Sequence, residues 1–286
     1  NLLLKIYKII FLILNMLNII GIGTKKEHIT QEMIQVIQNS DKVYIEHYTN
    51  FYQDSFEELE KYLNVTIKTC IREDVESRAK ELLLNPSKEN NITLLIIGDV
   101  LVATTHTDLL LRARVMNIDT KIYHNISIAN LITRTGLQWY KFGKVTSIPF
   151  FNEKFMPRTP YLQLYDNLKI GAHSLFLLDL NPSNDVAYKG HEKYLPAHKA
   201  LQFLLDIPKI MLEEEEIEEK EANCIDNETH AIICSRLGMN DETIWYGTIE
   251  ELIEKDSQKN LPEPLCIIIP SEMHEIEEEY LKKFQI

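Results

Sequence analysis

The apolar run Ile92-Thr-Leu-Leu-Ile-Ile97 restricts the fold more than any other segment. A short run of this kind, without polar alternation, reads as a strand buried on both faces of a sheet. It ends in Gly98-Asp99 and passes through Val-Leu-Val-Ala-Thr-Thr-His106 into a helix start. A carboxylate and several backbone groups therefore stand at the carboxyl end of a strand, the edge where open α/β sheets bind ligands. The pattern recurs where Thr120-Lys-Ile-Tyr-His124 leads into Asn125-Ile-Ser-Ile-Ala-Asn130 and another helix. Two such edges in succession predict one small-molecule pocket.

From Met16 onward, strands and helices alternate. Leu17–Ile20 is a strand, Thr30 caps a helix through Gln38, and Val43–Glu46 is a second strand. Ser55 with Glu58 forms a capping box that opens a helix to Leu63. Val65–Thr69, a helix around Asp74–Leu84 and the strand at Ile92–Ile97 complete a first α/β unit. A helix from Thr105 to about Val115 leads to the strand at Thr120–His124. Beyond it, Phe142–Phe150 and His173–Leu180 read as longer strands. A helix over Pro196–Leu205, a strand over His230–Arg236 and a strand–helix pair from Leu265 follow. The expectation is an α/β chain of two domains, residues 16–118 and 119–286, the second with a mixed sheet. The pocket then falls between them. Glu213–Glu219 is a solvated face or loop, and Glu254–Asn260 reads as an exposed loop.

Composition removes several classes. Of 286 residues, 45% are hydrophobic and 26% charged, a globular balance, and the net charge of −13 argues against a nucleic-acid partner. The four cysteines (Cys70, Cys224, Cys234, Cys266) show no paired or metal-type spacing, as in reduced thiols of a cytosolic protein, and no metal is expected. Residues 1–15 are mostly Leu, Ile, Phe and Lys. They are too short and Lys-interrupted for a span, no small-residue cleavage site follows, and they read as an upstream or non-native extension. No membrane partner is expected.

Among the motifs, Gly21-Ile-Gly23 lacks the third glycine of a dinucleotide fingerprint. Its glycines fit a tight backbone turn beside a ligand or neighbouring strand. Asp99 either caps the next helix or holds a ligand group. His106 reads as a structural hydrogen-bonder, and no nucleophile arrangement stands out.

Taken together, Gly21-Ile-Gly23, Val43-Tyr-Ile-Glu46, Arg72-Glu-Asp-Val-Glu76, Gly98-Asp99, Ala103-Thr-Thr-His106, His124-Asn-Ile-Ser-Ile128, Gly136-Leu-Gln138, Tyr140-Lys-Phe-Gly143 and Leu177-Leu-Asp179 resemble the diphthine synthase family. That family belongs to the tetrapyrrole-methylase-like S-adenosylmethionine methyltransferases. The resemblance runs in order from Met16 to the C-terminus. It implies two α/β domains of the tetrapyrrole methylase type, with the cofactor in the cleft between them, and a cytoplasmic homodimer. It also implies methylation of the 3-amino-3-carboxypropyl arm on a histidine of translation elongation factor 2, in diphthamide biosynthesis, with S-adenosylhomocysteine as product. The cofactor set carried over comprises Thr24, Asp99, Val102, Ser127, Ile128, Leu178, Leu237 and Cys266. In that reading Asp99 positions polar cofactor groups or favours the sulfonium, and Leu178 and Leu237 wall the adenine. The resemblance names no proton acceptor.

The chain departs from the family at Val100 and Val102, which stand for a Pro and a Gly, at Cys266 for a His, and at Glu275 for a Pro. A left-handed backbone at Val102 would be strained. Two alternatives follow: a degenerate member that binds cofactor or partner without turnover, and a methyltransferase of the same fold acting on another small acceptor.

Overall fold

The computed structural model describes residues 15–48, 50–181 and 193–286. The extension expected over residues 1–15 lies, apart from Asn15, outside these. The chain divides into two compact units, the first ending at Ala129 and the second beginning at Asn130.

The first unit is built on β1 (Leu17–Gly21), β2 (Lys42–Glu46), β3 (Ile67–Cys70), β4 (Ile92–Ile96) and β5 (Thr120–Tyr123). All pair in parallel, in the order β3-β2-β4-β1-β5. Because successive strand residues face opposite sides, β1 and β4 feed two cores. Leu17, Ile19, Ile92, Leu94 and Ile96 enter one, and Ile20, Ile22, Leu95 and Ile97 the other. This two-sided burial is why the β4 segment reads as an unbroken apolar run. Helices α1 (Gln31–Gln38), α2 (Phe56–Leu63), α3 (Arg72–Glu76) and α4 (Thr107–Val115) link the strands, and a short α5 (Ile128–Leu131) follows β5. Thr30 caps α1 by accepting the Met33 N–H at 3.3 Å. The expected Ser55–Glu58 capping box is formed on α2.

Two expectations are corrected here. The division after residue 118 moves to Ala129, because β5 pairs with β1 and is an edge strand of the first sheet. The helix expected around Asp74–Leu84 divides into α3 and a wide π-type turn at Lys80–Leu84. The widening starts where the Arg78 N–H bonds the Glu73 carbonyl, five residues back, at 2.7 Å.

The second unit carries β6 (Thr146–Ile148), β7 (Ser174–Leu178), β8 (His230–Ser235), β9 (Thr243–Thr248) and β10 (Leu265–Ile269), in the order β6-β7-β10-β8-β9. Only β6 and β7 are parallel, so the sheet is mixed. Its helices are α6 (Thr159–Lys169), α7 (Ala197–Glu213), α8 (Glu219–Ala222), α9 (Ile249–Lys259) and α10 (Glu275–Leu281).

The long strand expected at Phe142–Phe150 shrinks to β6. Asn167 takes both backbone groups of Lys144 at 3.0 Å, in place of a neighbouring strand. Helix α7 runs past the expected Leu205 and through Pro208. Proline has no N–H for the Leu204 carbonyl, yet Leu204, Ile207, Pro208 and Met211 are all buried and hold the turn helical. The loop expected at Glu254–Asn260 is instead the last part of α9 and its left-handed cap. Its Asp256 looks like a solvent residue but is buried, accepting the His198 N–H and Nδ1 at 2.8 Å and the Leu261 N–H at 3.0 Å.

Candidate active site

The carboxyl ends of β1, β4 and β5 are tied into one edge of the first sheet. Gly23 and Gly98 exchange backbone hydrogen bonds of 3.0 and 2.8 Å. A Cβ on Gly21 would stand 2.7 Å from the Gly98 carbonyl and 3.1 Å from the Asp99 Cα. Gly21 thus serves close approach of neighbouring backbone, which excludes any side chain there. Gly98 has φ +86, and a Cβ on it would meet only Ser127 Cβ at 3.8 Å and the Ile126 carbonyl at 4.0 Å.

Asp99 is buried and fully engaged. One carboxylate oxygen accepts the Leu101 N–H at 2.9 Å; the other accepts the Asn125 N–H and faces His124 Nδ1, each at 2.9 Å. Burial opposes its charge, but the Leu101 and Asn125 amides and His124 outweigh that and hold the carboxyl below its ordinary range. Asp99 therefore acts first as a clamp between the ends of β4 and β5. Asn125 extends the clamp by donating its side-chain amide to the Gly21 and His28 carbonyls at 2.8 and 3.0 Å. The side chain of His124 remains 65% exposed.

The loop that follows resolves the departures from the family pattern. Val100 is fully buried in the core, where it replaces proline with apolar packing. The left-handed residue is Ala103, with φ 55, and not Val102. The Val100 carbonyl accepts the Thr104 hydroxyl at 2.8 Å and faces His106 Nδ1 at 3.1 Å. His106 Nε2 lies 2.8 Å from Glu46, and both side chains are buried. His106 is structural, as its sequence setting suggests. Thr24 is buried beside the Gly23–Gly98 bridge and donates its N–H to His28 Nδ1 at 3.2 Å. Ser127 is buried and Ile128 opens α5. Five of the eight expected cofactor residues, Thr24, Asp99, Val102, Ser127 and Ile128, thus belong to this edge and its loops.

The other three gather on one edge of the second sheet. Leu178 ends β7, Leu237 follows β8, and Cys266 is the second residue of β10. Because β10 runs antiparallel to β7 and β8, its start lies beside their ends, with Cys266 opposite Leu177 and Cys234. All three side chains are buried.

The second unit also holds a cluster not foreseen from the sequence. Glu277 is wholly buried and accepts the Gln138 N–H at 2.8 Å, Lys141 Nζ at 2.6 Å and the His274 N–H at 2.7 Å, with His173 Nε2 at 3.3 Å. Burial opposes its charge, but these donors hold the carboxyl down at about 2. The cluster explains Tyr140-Lys-Phe-Gly143 and the terminal His274 and Glu277 together, since Lys141 meets Glu277 across the sequence. Glu275 stands at the first position of α10, where an acidic residue suits the helix dipole as proline suits the backbone. The hidden signal was the N-cap spacing of His274 to Glu277.

Residues 16–253 match the tetrapyrrole (corrin/porphyrin) methylase family, and the chain belongs to it. Among curated proteins, it is 38% identical over 274 residues to the diphthine methyl ester synthase of Kluyveromyces lactis, covering 94% of this chain and 90% of that protein. It is 36% identical to the diphthine synthase of Methanococcus maripaludis, covering 93% of this chain and 98% of that one. A solved Entamoeba histolytica structure matches with a TM-score of 0.82 at 29% identity, over 95% of this chain and 99% of that one. A solved diphthine synthase matches with a TM-score of 0.76 at 25% identity, over 94% and 95%. Among the described residues, no group of His, Cys, Asp and Glu is placed to hold a metal ion, and no helix is long and apolar enough to cross a membrane.

Proposed function

We propose that this chain is an S-adenosylmethionine-dependent methyltransferase of diphthamide biosynthesis. It methylates the 3-amino-3-carboxypropyl arm carried by a histidine of translation elongation factor 2. The observation that carries this reading is the similarity at 36–38% identity to curated diphthine and diphthine methyl ester synthases, over 93–94% of the chain. It spans both units and both sheet edges. The degenerate-member alternative drew on Val100 and Val102; Val100 is a core residue and Val102 is not the left-handed one.

The proposed cofactor set is Thr24, Asp99, Val102, Ser127 and Ile128 from the first unit and Leu178, Leu237 and Cys266 from the second. A Cβ on Gly98 would make only ordinary contacts with Ser127 and the Ile126 carbonyl, so the absence of a side chain there leaves backbone that a ligand edge can approach. Asp99 supplies negative charge nearby, while its oxygens stay bonded to protein. Leu178 and Leu237 offer apolar walls for a base. When bound, S-adenosylmethionine supplies an electrophilic methyl group on a sulfonium. The chain's own contribution is then orientation and exclusion of water. A cytoplasmic homodimer that binds no nucleic acid completes the proposal, with the acidic surface kept for solubility.

Calorimetry with S-adenosylhomocysteine, and transfer of label from S-adenosylmethionine to elongation factor 2 bearing the unmethylated arm, test this. Cofactor binding together with labelling of that factor is expected. Absence of binding at millimolar cofactor rules out the enzyme; binding without labelling of that factor rules out the substrate.

A further inference from the structure

His124 differs from the buried histidines of this protein. It follows β5 at the carboxyl edge of the first sheet, three residues ahead of Ser127. Its Nδ1 lies 2.9 Å from Asp99, and its side chain is 65% exposed. The same Asp99 oxygen accepts the Asn125 N–H, and the other accepts the Leu101 N–H. A carboxylate held this way only accepts hydrogen bonds, so the hydrogen of a neutral His124 ring resides on Nδ1. The lone pair then belongs to Nε2, which bonds no group among the described residues. By contrast, His106 and His173 have both ring nitrogens engaged. The ring is also held in place, because Asn125 anchors the same turn to the Gly21 and His28 carbonyls. Asp99 faces it from the end of β4, Lys121 on its own strand is paired to Glu32 of α1 at 3.5 Å, and burial keeps His28 below its ordinary range.

We infer that His124 is the proton acceptor for the substrate amine, with Asp99 as its positioning residue. This rests on the methyltransferase reading above. An alkylammonium has no lone pair and cannot attack. Nε2 takes a proton from its N–H, leaving the amine pair free. That pair forms the new C–N bond as the C–S bond of the sulfonium breaks, and sulfur keeps the bonding electrons. The His124 imidazolium then releases its proton to water. An N-methylated product that still carries an N–H is again an ammonium, so the same removal precedes the next transfer. A carboxylate is already a nucleophile at neutral pH, so ester formation needs no such step. His124 is therefore required for N-methylation and dispensable for methylation of the carboxylate.

The test compares wild type with His124→Gln, using elongation factor 2 bearing the unmethylated arm and mass spectrometry to count N- and O-methyl groups. The exposed ring makes unfolding of this variant unexpected, and its melting temperature checks that. The expected result is an N-methylation rate about 100-fold lower at pH 7, in the range of general-base effects. That loss shrinks as pH rises and the amine loses its proton to solvent. Ester formation on a pre-trimethylated arm and affinity for S-adenosylhomocysteine stay unchanged. An unaltered N-methylation rate and pH profile, or equal losses in N- and O-transfer with weaker cofactor binding, overturns the inference. If wild type itself transfers nothing to the arm, the functional reading fails instead. A separate readout remains in the free protein, where ¹⁵N chemical shifts should report the Nδ1–H tautomer for neutral His124. An Nε2–H tautomer refutes the dyad whatever the activity.

Discussion

A buried glutamate meets a buried histidine once in each unit, and the two pairs hold their protons differently. In the first unit, His106 faces two acceptors, Glu46 at 2.8 Å and the Val100 carbonyl at 3.1 Å. The Val100 carbonyl can only accept, so Nδ1 carries a hydrogen, and a protonated ring donates to both acceptors. Burial works against that charge, but Glu46 and Val100 outweigh it and raise the His106 pKa. In the second unit, His173 Nδ1 accepts the Ser271 N–H at 3.0 Å while Nε2 donates to Glu277. One nitrogen is therefore bare and the ring is neutral. Burial lowers its pKa against the pull of Glu277, and Lys141 supplies the positive charge. Proton occupancy is decided by what stands at the far ring nitrogen. The glutamate alone does not set it.

This contrast predicts unequal costs. Glu277→Gln leaves the Lys141 ammonium and two backbone N–H groups facing an amide. Breaking such a buried pair should destabilise the protein by about 3–5 kcal/mol in urea denaturation at pH 7. Glu46→Gln should cost less, about 1–2 kcal/mol, because His106 can release its proton and accept from the new amide through Nε2. Equal or reversed costs break the comparison.

Acid gives the next effect. The Glu277 carboxyl is held at about 2 against an ordinary 4.5, so its contribution is present above pH 4.5 and lost as pH falls toward 2. Glu277→Gln should remove that part of the acid transition. A steep transition that survives the substitution would place its origin elsewhere.

The smallest effects separate the histidines themselves. With its pKa raised, His106 contributes fully below pH 6.5, and that contribution is lost as pH rises through its folded value. His173 has the opposite sign. Its unfolded form takes a proton near 6.5 while the folded form resists, so stability falls as pH drops below 6.5. Melting temperatures across pH 5–8 should show His106→Gln flattening the alkaline side and His173→Gln the acid side. Parallel curves for the two variants would contradict the assigned proton states.

Legibility followed how local each signal was. The Thr30 cap, the Ser55–Glu58 capping box and the two-sided β4 run were readable because their causes lie within a few residues. The polar half of α9 was misread because the partners of Asp256 are His198 and Leu261, one of them far off in sequence. β9 and α6 were missed altogether. At the candidate site, the two strand edges ending in Asp99 and in Asn125–Asn130 were legible from the repeated strand–turn–helix pattern, while Thr24, Ser127 and Ile128 entered only with the family resemblance. What Asp99 does there was not legible. Its carboxylate reaches the β5 end, and only strand order brings the two together.

The sequence by itself determined the alternating elements, the strand buried on both faces and the family, because periodicity, caps and motif order are properties of the chain. The tertiary structure alone decided which carboxylates are clamps, what His124 meets through Nδ1, and which loop residue turns left-handed. Those outcomes depend on which donors and acceptors from distant segments meet in a buried setting, and no spacing along the chain encodes that meeting.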